Sequence, residues 1–121
     1  MPIPLLICDD SAMARKQVKK SLPLNWEVDV TFAENGAQGI QAIREGKGEM
    51  VFLDLTMPEL DGYGVLQKVK EEGLKSVIIV ISADIQPEAR ERVVKLGALD
   101  FIKKPIDSQK LEEVLKKYGL L

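Results

Sequence analysis

The residues of this chain with the clearest chemical potential are acidic, hydroxyl and lysine side chains that directly follow short apolar runs. Four runs end in this way, in order, with the pair Asp9-Asp10, with Asp54, with Ser82, and with Lys103-Lys104. If the runs are parallel strands, these side chains meet at one edge of a sheet. Crowded carboxylates repel one another and hold protons unless a cation intervenes. Because Mg²⁺ prefers oxygen ligands and needs few carboxylates, the group indicates a magnesium site that handles a phosphoryl group.

The chain contains no histidine and a single cysteine, Cys8, among its 121 residues. The absence of histidine removes the commonest general base, the Ser-His-Asp and Cys-His arrangements, and most zinc chemistry. A lone cysteine cannot form an intrachain disulfide, and Cys8 lies in an apolar run where we expect it to be buried. Any catalysis must therefore rest on carboxylates, hydroxyls, lysines or a bound ion.

Length and composition predict one compact domain over residues 1–121. Hydrophobic residues make up 45% and charged residues 30%, an ordinary globular balance. Seventeen basic against nineteen acidic residues give a net charge of −2, which offers no electrostatic reason for direct binding to nucleic acid or a membrane. The segment Met1-Pro2-Ile3-Pro4 lacks the features of a signal peptide. We therefore expect a cytoplasmic protein.

The apolar pattern predicts five strands, over residues 5–8, 28–33, 50–53, 77–81 and 100–103. The first, third and fourth are continuous apolar runs, which is typical of parallel strands covered on both faces. The second strand carries Asp29 and Thr31 between its apolar residues, which suits a half-exposed edge. Pro2 and Pro4 stand at the start of the first strand and require that its pairing begins after them.

Apolar residues at helical spacing predict five helices that alternate with these strands. The stripes are Ala14, Val18 and Leu22; Ala37, Ile40 and Ile43; Leu66 and Val69; Ala89, Val93 and Leu96; and Leu111, Val114, Leu115 and Tyr118. Asp10 or Ser11 is expected to cap the first helix and Asp61 the third. Pro87 suits the first turn of the fourth helix, and Gly46 and Gly97 suit the ends of the second and fourth. Strict alternation predicts a doubly wound α/β sheet with right-handed crossovers.

Two of the loop aspartates have a simpler interpretation. Asp10 and Asp61 could each be explained entirely as helix caps. Asp54 resists that explanation, because it closes a fully apolar strand and precedes a turn rather than a helix.

The ordered motifs resemble the receiver domain of bacterial two-component response regulators, the CheY-like family. They are Asp9-Asp10-Ser11, the segment Asp-Leu-Thr-Met-Pro-Glu-Leu-Asp-Gly over residues 54–62, Ser82-Ala83, Gly97-Ala98 and Lys104-Pro105. The resemblance covers essentially the full length. It implies a single (βα)₅ domain of the flavodoxin/CheY-like type, with a parallel sheet of strand order 2-1-3-4-5.

The resemblance also implies roles for the site residues. Asp54 would be the phospho-acceptor, and Lys104 would contact the transferred group. Mg²⁺, for which Mn²⁺ is expected to substitute, would be held by Asp10, Asp54 and the backbone carbonyl of Thr56, with Asp9 acting mostly through water. Thr56 and Asp84 would stand where the family tunes access of the hydrolytic water. The chain would catalyse its own phosphorylation and slow dephosphorylation without being a conventional turnover enzyme.

Signalling would follow from a movement of two side chains. By the same resemblance, Ser82 would turn toward the phosphoryl group and Phe101 would move inward. This would change the surface of the fourth helix, the last strand and the fifth helix, which includes Arg90 and Lys95. The phosphoryl donor would be a phosphohistidine on a sensor histidine kinase or phosphotransfer protein. The output would be an unknown downstream protein, a fused output domain or a homodimer formed on activation.

Other functions remain open at this point. A flavodoxin-like cofactor binder needs a glycine- or hydroxyl-rich loop where Asp9 and Asp10 stand. A haloacid-dehalogenase-type phosphatase needs a second acidic residue where Thr56 stands. A receiver-like scaffold that acts without phosphorylation, or a phosphate sink or relay, would keep the same motifs. The chain ends with the fifth helix, so we expect a free-standing regulator or a piece of a longer one.

Overall fold

The computed structural model describes residues 2–83 and 86–121, so the expectation for Asp84 lies outside the described residues. Strands and helices alternate along the described chain: β1 Ile3–Cys8, α1 Ala12–Lys20, β2 Val28–Ala33, α2 Gly36–Arg44, β3 Met50–Leu53, α3 Gly62–Glu72, β4 Val77–Ser82, α4 Pro87–Lys95, β5 Asp100–Lys103 and α5 Ser108–Lys117. Within these parts of the chain, no helix has the length and hydrophobicity needed to cross a bilayer.

All strand pairs are parallel, and the sheet has the order β2-β1-β3-β4-β5. The predicted fold class is therefore confirmed. Helices α2, α3 and α4 cover one face of the sheet, where residues such as Ile40, Leu66 and Val93 form a first apolar layer. Helices α1 and α5 cover the other face, where Val18 and Leu111 belong to a second apolar layer. Because both faces are covered, the central strands are apolar throughout, as their sequence indicated.

Pairing of β1 begins earlier than the prolines were expected to allow. Pro4 lies opposite Asp29 of β2, whereas pairing with β3 starts only at Leu5. Ile3 donates its N–H to the carbonyl of Glu27, on the β2 side. Successive N–H groups of a strand point to opposite neighbours, so the group that Pro4 lacks would face β3, where the ladder has not begun.

The predicted signals at the helix ends are confirmed, including Gly46 and Gly97, which follow α2 and α4 with positive φ. Ser11, rather than Asp10, caps α1, because its hydroxyl accepts the N–H of Ala14 at 3.2 Å. Asp61 caps α3 as predicted, and its carboxylate accepts the N–H of Gly64 at 2.9 Å. Pro87 is the first residue of α4.

The predicted apolar stripe of α2 is wrong at one position. Ala37 is exposed, while Gly36 and Gly39 are buried beside Ile40 and Ile43. The helix approaches β1 so closely that a Cβ on Gly39 would lie 2.8 Å from the Sγ atom of Cys8. A stripe traced through apolar side chains misses a helix face that packs through glycine.

Candidate functional site

The side chains that follow the strands line one open cleft at the carboxyl edge of the sheet. Its lining comprises Asp9, Asp10, Ser11, Asp54, Thr56, Ser82, Ala83 and Lys104. Two other predicted residues lie elsewhere. Lys103 is exposed, and Phe101 is half-buried against the first apolar layer.

Three carboxylates come together in the cleft. One oxygen of each of Asp9, Asp10 and Asp54 can be chosen so that all three lie within 4.8 Å of one another. Asp9 and Asp54 are buried, whereas Asp10 is exposed. A donor set made only of oxygens, with one side open to solvent, fits a hard divalent ion such as Mg²⁺ that keeps several of its waters.

The buried position of Asp54 makes its negative charge unfavourable. Burial, followed by repulsion from the Asp9 carboxylate, raises the pKa of Asp54 from 3.8 to about 6, although Lys104 opposes the shift. The backbone N–H of Asp54 is already used, since it donates to the carbonyl of Cys8 at 2.9 Å. The carboxylate thus lacks full charge compensation from the protein, which favours the approach of a cation.

Lys104 supplies the positive charge of the cleft. Its Nζ atom lies 2.9 Å from Oδ2 of Asp9 and 3.5 Å from Oδ1 of Asp54. Burial opposes its charge, but the hydrogen bond with Asp9 and the charges of Asp54 and Asp9 outweigh it, so the pKa of Lys104 is raised. Its backbone N–H donates to the carbonyl of Ser82 at 2.8 Å, and the Lys104–Pro105 peptide bond is cis. The ammonium is therefore within reach of an anionic group that binds beside Asp54.

Asp9 is held by contacts that the sequence did not single out. The backbone N–H of Ser11 donates to Oδ1 of Asp9 at 2.9 Å. The Nη1 atom of Arg15 donates to the backbone carbonyl of Asp9 at 2.7 Å, and Nη2 lies 3.8 Å from Glu34. Helical spacing could have found Arg15, because it stands one turn beyond the cap residue Ser11 and so above the end of β1.

The loop between β3 and α3 presents Thr56 to the cleft. Thr56 is exposed, whereas its neighbours Leu55 and Met57 are buried. The loop closes when the N–H of Gly62 donates to the carbonyl of Leu55 at 3.0 Å. Two buried side chains thus fix the backbone on either side of Thr56.

Cys8, at the end of β1, is buried as expected. Burial, with added repulsion from the charges of Asp9 and Asp54, raises the pKa of its thiol to about 12. A thiol in this state is almost entirely protonated at neutral pH, so it is a packing group rather than a nucleophile.

The chain matches a known protein family over most of its length. Residues 5–116 match the family described as "Response regulator receiver domain". The chain is 36% identical over 113 residues to the chemotaxis protein CheY of Bacillus subtilis, with 93% of this chain and 94% of that protein covered. It is 37% identical to protein-glutamate methylesterase/protein-glutamine glutaminase 2 of Koribacter versatilis, with 91% of this chain but 31% of that protein covered.

Solved structures show the same architecture. The chain superposes on a chain of the CheX-CheY-BeF₃-Mg²⁺ complex of Borrelia burgdorferi with a TM-score of 0.86 and 28% identity, covering 98% of this chain and 90% of that one. The response regulator domain of Thermotoga maritima CheB gives a TM-score of 0.81 at 26% identity, covering 98% and 95%.

Proposed function

Because the chain belongs to the response regulator receiver domain family, we propose that Asp54 is the phospho-acceptor of a CheY-like signalling switch formed by residues 1–121. The observation that carries this proposal is the position of Asp54. Its carboxylate is buried at the end of a central strand, within reach of two further carboxylates and 3.5 Å from the Lys104 ammonium. An aspartate that only caps a helix or closes a turn would not require two neighbouring carboxylates and a lysine ammonium.

In the proposed reaction, an ionised oxygen of Asp54 attacks the phosphorus of the donor. A phosphorus–oxygen bond forms to the Asp54 carboxylate while the bond from phosphorus to the donor's leaving group breaks. Lys104 contacts the transferred group and offsets its negative charge. Most of the catalysis is positioning and charge stabilisation, as is general for phosphoryl transfer.

We assign the divalent-ion site to Asp10, Asp54 and the backbone carbonyl of Thr56, with Asp9 acting mainly through water. The oxygen-only cluster and the raised pKa of Asp54 support this assignment, and the Borrelia complex of the same fold contains Mg²⁺ and BeF₃. When bound, Mg²⁺ neutralises charge on the transferring phosphoryl oxygens. Mn²⁺, which takes the same oxygen ligands, is expected to substitute.

The phosphoryl group would change the surface through β4 and β5. Ser82 is buried at the end of β4 and pairs with Lys103 of β5, two residues after Phe101. A turn of the Ser82 hydroxyl toward the phosphoryl group would therefore act directly on β5, and Phe101 would follow inward. The surface formed by α4, β5 and α5 would change as a population shift between two arrangements.

The partners follow from the same chemistry. The chain has no histidine, so a phosphohistidine donor must lie on a sensor kinase or phosphotransfer protein. We expect the output to be a downstream protein or an attached output domain. Similar proteins of both lengths exist, since the chain spans nearly all of one CheY but about a third of the Koribacter methylesterase.

Intact mass after incubation with acetyl phosphate tests the proposal, with a phosphorylated kinase as the second donor. We expect one added phosphoryl group that requires both Mg²⁺ and Asp54, so EDTA or Asp54→Asn abolishes it. Asp61→Asn is the matched control, since asparagine also caps helices and Asp61 lies outside the cleft. Phosphorylation of the Asp54→Asn variant at the wild-type level would contradict the proposal.

A further inference from the structure

We propose that Gly36, the first residue of α2, is a positioning residue for the divalent-ion site. It acts on the loop of residues 54–61, the β3–α3 loop, which carries the Thr56 carbonyl. The inference rests on the proposed function, because it takes that carbonyl as a ligand. It adds a helix that contributes no residue to the cleft lining.

The contact between Gly36 and the loop is made through backbone. A Cβ built on Gly36 would lie 1.9 Å from the carbonyl oxygen of Leu60 and 2.7 Å from both its carbonyl carbon and its Cβ. A flexible side chain could turn away from such a methyl group, but a peptide carbonyl cannot. The bare Cα of Gly36 is thus the surface against which the loop rests.

The loop has little freedom to absorb a displacement of Leu60. The N–H of Leu60 donates to the carbonyl of Pro58 at 2.8 Å, and Glu59 between them has a φ of 67°, a left-handed conformation that is strained for a side chain of this kind. The two ends of the loop also meet closely, since a Cβ on Gly62 would lie 2.4 Å from the carbonyl oxygen of Asp54. The loop is therefore closely packed at both ends, and a push on Leu60 is transmitted toward Thr56.

A second contact joins the start of α2 to the same loop. The Sδ atom of Met57 lies 3.6 Å from the Sγ atom of Cys8, which in turn lies 3.5 Å from the carbonyl oxygen of Asn35. Asn35 caps α2 by accepting the N–H of Gln38 at 2.8 Å. The beginning of α2 thus supports the loop on both sides of Pro58, directly at Leu60 and through Cys8 at Met57.

The effect of Gly36 on the loop can be measured by comparing the binding of two ions, Mg²⁺ and Ca²⁺. Real Cβ atoms essentially never approach another atom within 3.0 Å, so Gly36→Ala must displace Leu60 or α2 by about 1 Å. Mg²⁺ requires near-ideal octahedral ligands at about 2.0–2.1 Å, whereas Ca²⁺ accepts longer and irregular coordination. A displaced Thr56 carbonyl should therefore weaken Mg²⁺ binding far more than Ca²⁺ binding.

Calorimetric titration with Mg²⁺ and with Ca²⁺ tests this on the wild-type chain and on Gly36→Ala. We expect Gly36→Ala to raise the Kd for Mg²⁺ by roughly 10- to 100-fold and the Kd for Ca²⁺ by less. A change of this size is usual when a residue that holds a metal ligand in place is altered. The amide resonances of Thr56 and Met57 should also shift in the metal-free variant. Equal Kd values for Mg²⁺ in both proteins would overturn the proposal.

Gly46→Ala is the control for general destabilisation. Gly46 follows the same helix with a φ of 81°, and a Cβ there would have no neighbour within 4 Å, so the variant is strained without touching the loop. Its Kd for Mg²⁺ should stay within about twofold of wild type. An equal loss of affinity in both variants would mean that Gly36 acts only through stability, which would overturn the positioning role.

Asn35→Ala decides the question if Gly36→Ala does not fold. It removes the side-chain cap of α2 and so loosens the turn that begins at Gly36, but it adds no atom against the loop. We expect a higher Kd for Mg²⁺ than in wild type, and an unchanged Kd would refute the support that we assign to the start of α2. A wild-type chain that binds no Mg²⁺ would overturn the ion site itself, a failure distinct from equal binding by wild type and variant.

Discussion

At the scale of single residues, Asp54 combines burial with a need for negative charge. A carboxylate attacks phosphorus only when it is ionised, yet burial and Asp9 raise its pKa to about 6. The positive charge of Lys104 partly stabilises the ionised Asp54, but the Lys104 ammonium lies closer to Asp9 than to Asp54. A divalent ion would supply the remaining charge compensation. The crowding of carboxylates that disfavours ionisation of Asp54 should therefore favour metal binding.

The pKa of Asp54 predicts how Asp54→Asn changes stability with pH in metal-free buffer. Asp54 binds its proton more tightly in the folded state than in the unfolded state, so its unfavourable contribution vanishes well below the ordinary pKa of 3.8. That contribution grows as the pH rises through the folded-state pKa of about 6 and becomes constant about one pH unit above it. The unfolding free energy of Asp54→Asn minus that of wild type should therefore increase by about 1–3 kcal/mol as the pH rises from 4.5 to 7.5. Urea denaturation measures this, and a difference that stays constant with pH would refute the shift.

Most of the cleft could be predicted from residue types, because parallel strands bring their carboxyl ends together whatever the side chains are. That rule placed Asp9, Asp54 and Lys104 in one cleft. It could not show that Lys104 pairs first with Asp9, or that Arg15 holds the Asp9 carbonyl. Those contacts depend on side-chain rotamers and loop paths, which no periodicity records.

At the scale of elements, Asp100 joins three of them through one buried carboxylate. Its Oδ1 atom accepts the N–H of Phe101 at 2.7 Å and lies 3.3 Å from Arg90 of α4. Its Oδ2 atom accepts the hydroxyl of Tyr118, just beyond α5, at 2.9 Å and lies 3.8 Å from Lys117. The surface that we expect to change on phosphorylation is thus tied together beside Phe101.

Two substitutions should separate the contributions to this network. Tyr118→Phe should lower the unfolding free energy by about 1–2 kcal/mol, because it removes a hydrogen bond to a buried charged group. Arg90→Ala should cost about 0.5 kcal/mol or less, since the Arg90 side chain is 61% exposed. Chemical denaturation gives both values, and a larger loss for Arg90→Ala would show that the ion pair dominates.

Helix α2 shows the limit of prediction at this scale. Periodicity located the helix, but it assigned Ala37 to the core although that residue is exposed. The true contact face includes Gly36 and Gly39, whose lack of a side chain brings the helix against the β3–α3 loop and β1. Close packing through glycine has no hydrophobic signature, although it supports a segment of the cleft.

At the scale of the whole molecule, the sheet separates packing from chemistry. Two apolar layers hold the five strands from both faces, and the titratable groups of the cleft lie at one edge. A ligand that binds several strand ends together is expected to stabilise the entire domain. Ion binding and unfolding should therefore be linked.

Mg²⁺ should raise the melting temperature of the wild-type chain at pH 7. At a free concentration ten times the Kd, the gain should be about 1.4 kcal/mol, equivalent to a few degrees. Asp10→Asn should remove most of this gain, since Asp10 is an exposed member of the acidic cluster. Asp29→Asn, an exposed substitution on the edge strand, should keep it. Equal gains in Asp10→Asn and wild type would argue against the assigned ion site.

The central claim is that Asp54 itself carries the phosphoryl group, and locating that group tests the claim most directly. The wild-type chain is incubated with acetyl phosphate and Mg²⁺, reduced with borohydride, which converts an aspartyl phosphate to homoserine, and then digested and sequenced by mass spectrometry. We predict homoserine at position 54 and aspartate at positions 9 and 10. Homoserine at position 9 or 10, with position 54 unchanged, would contradict the assignment.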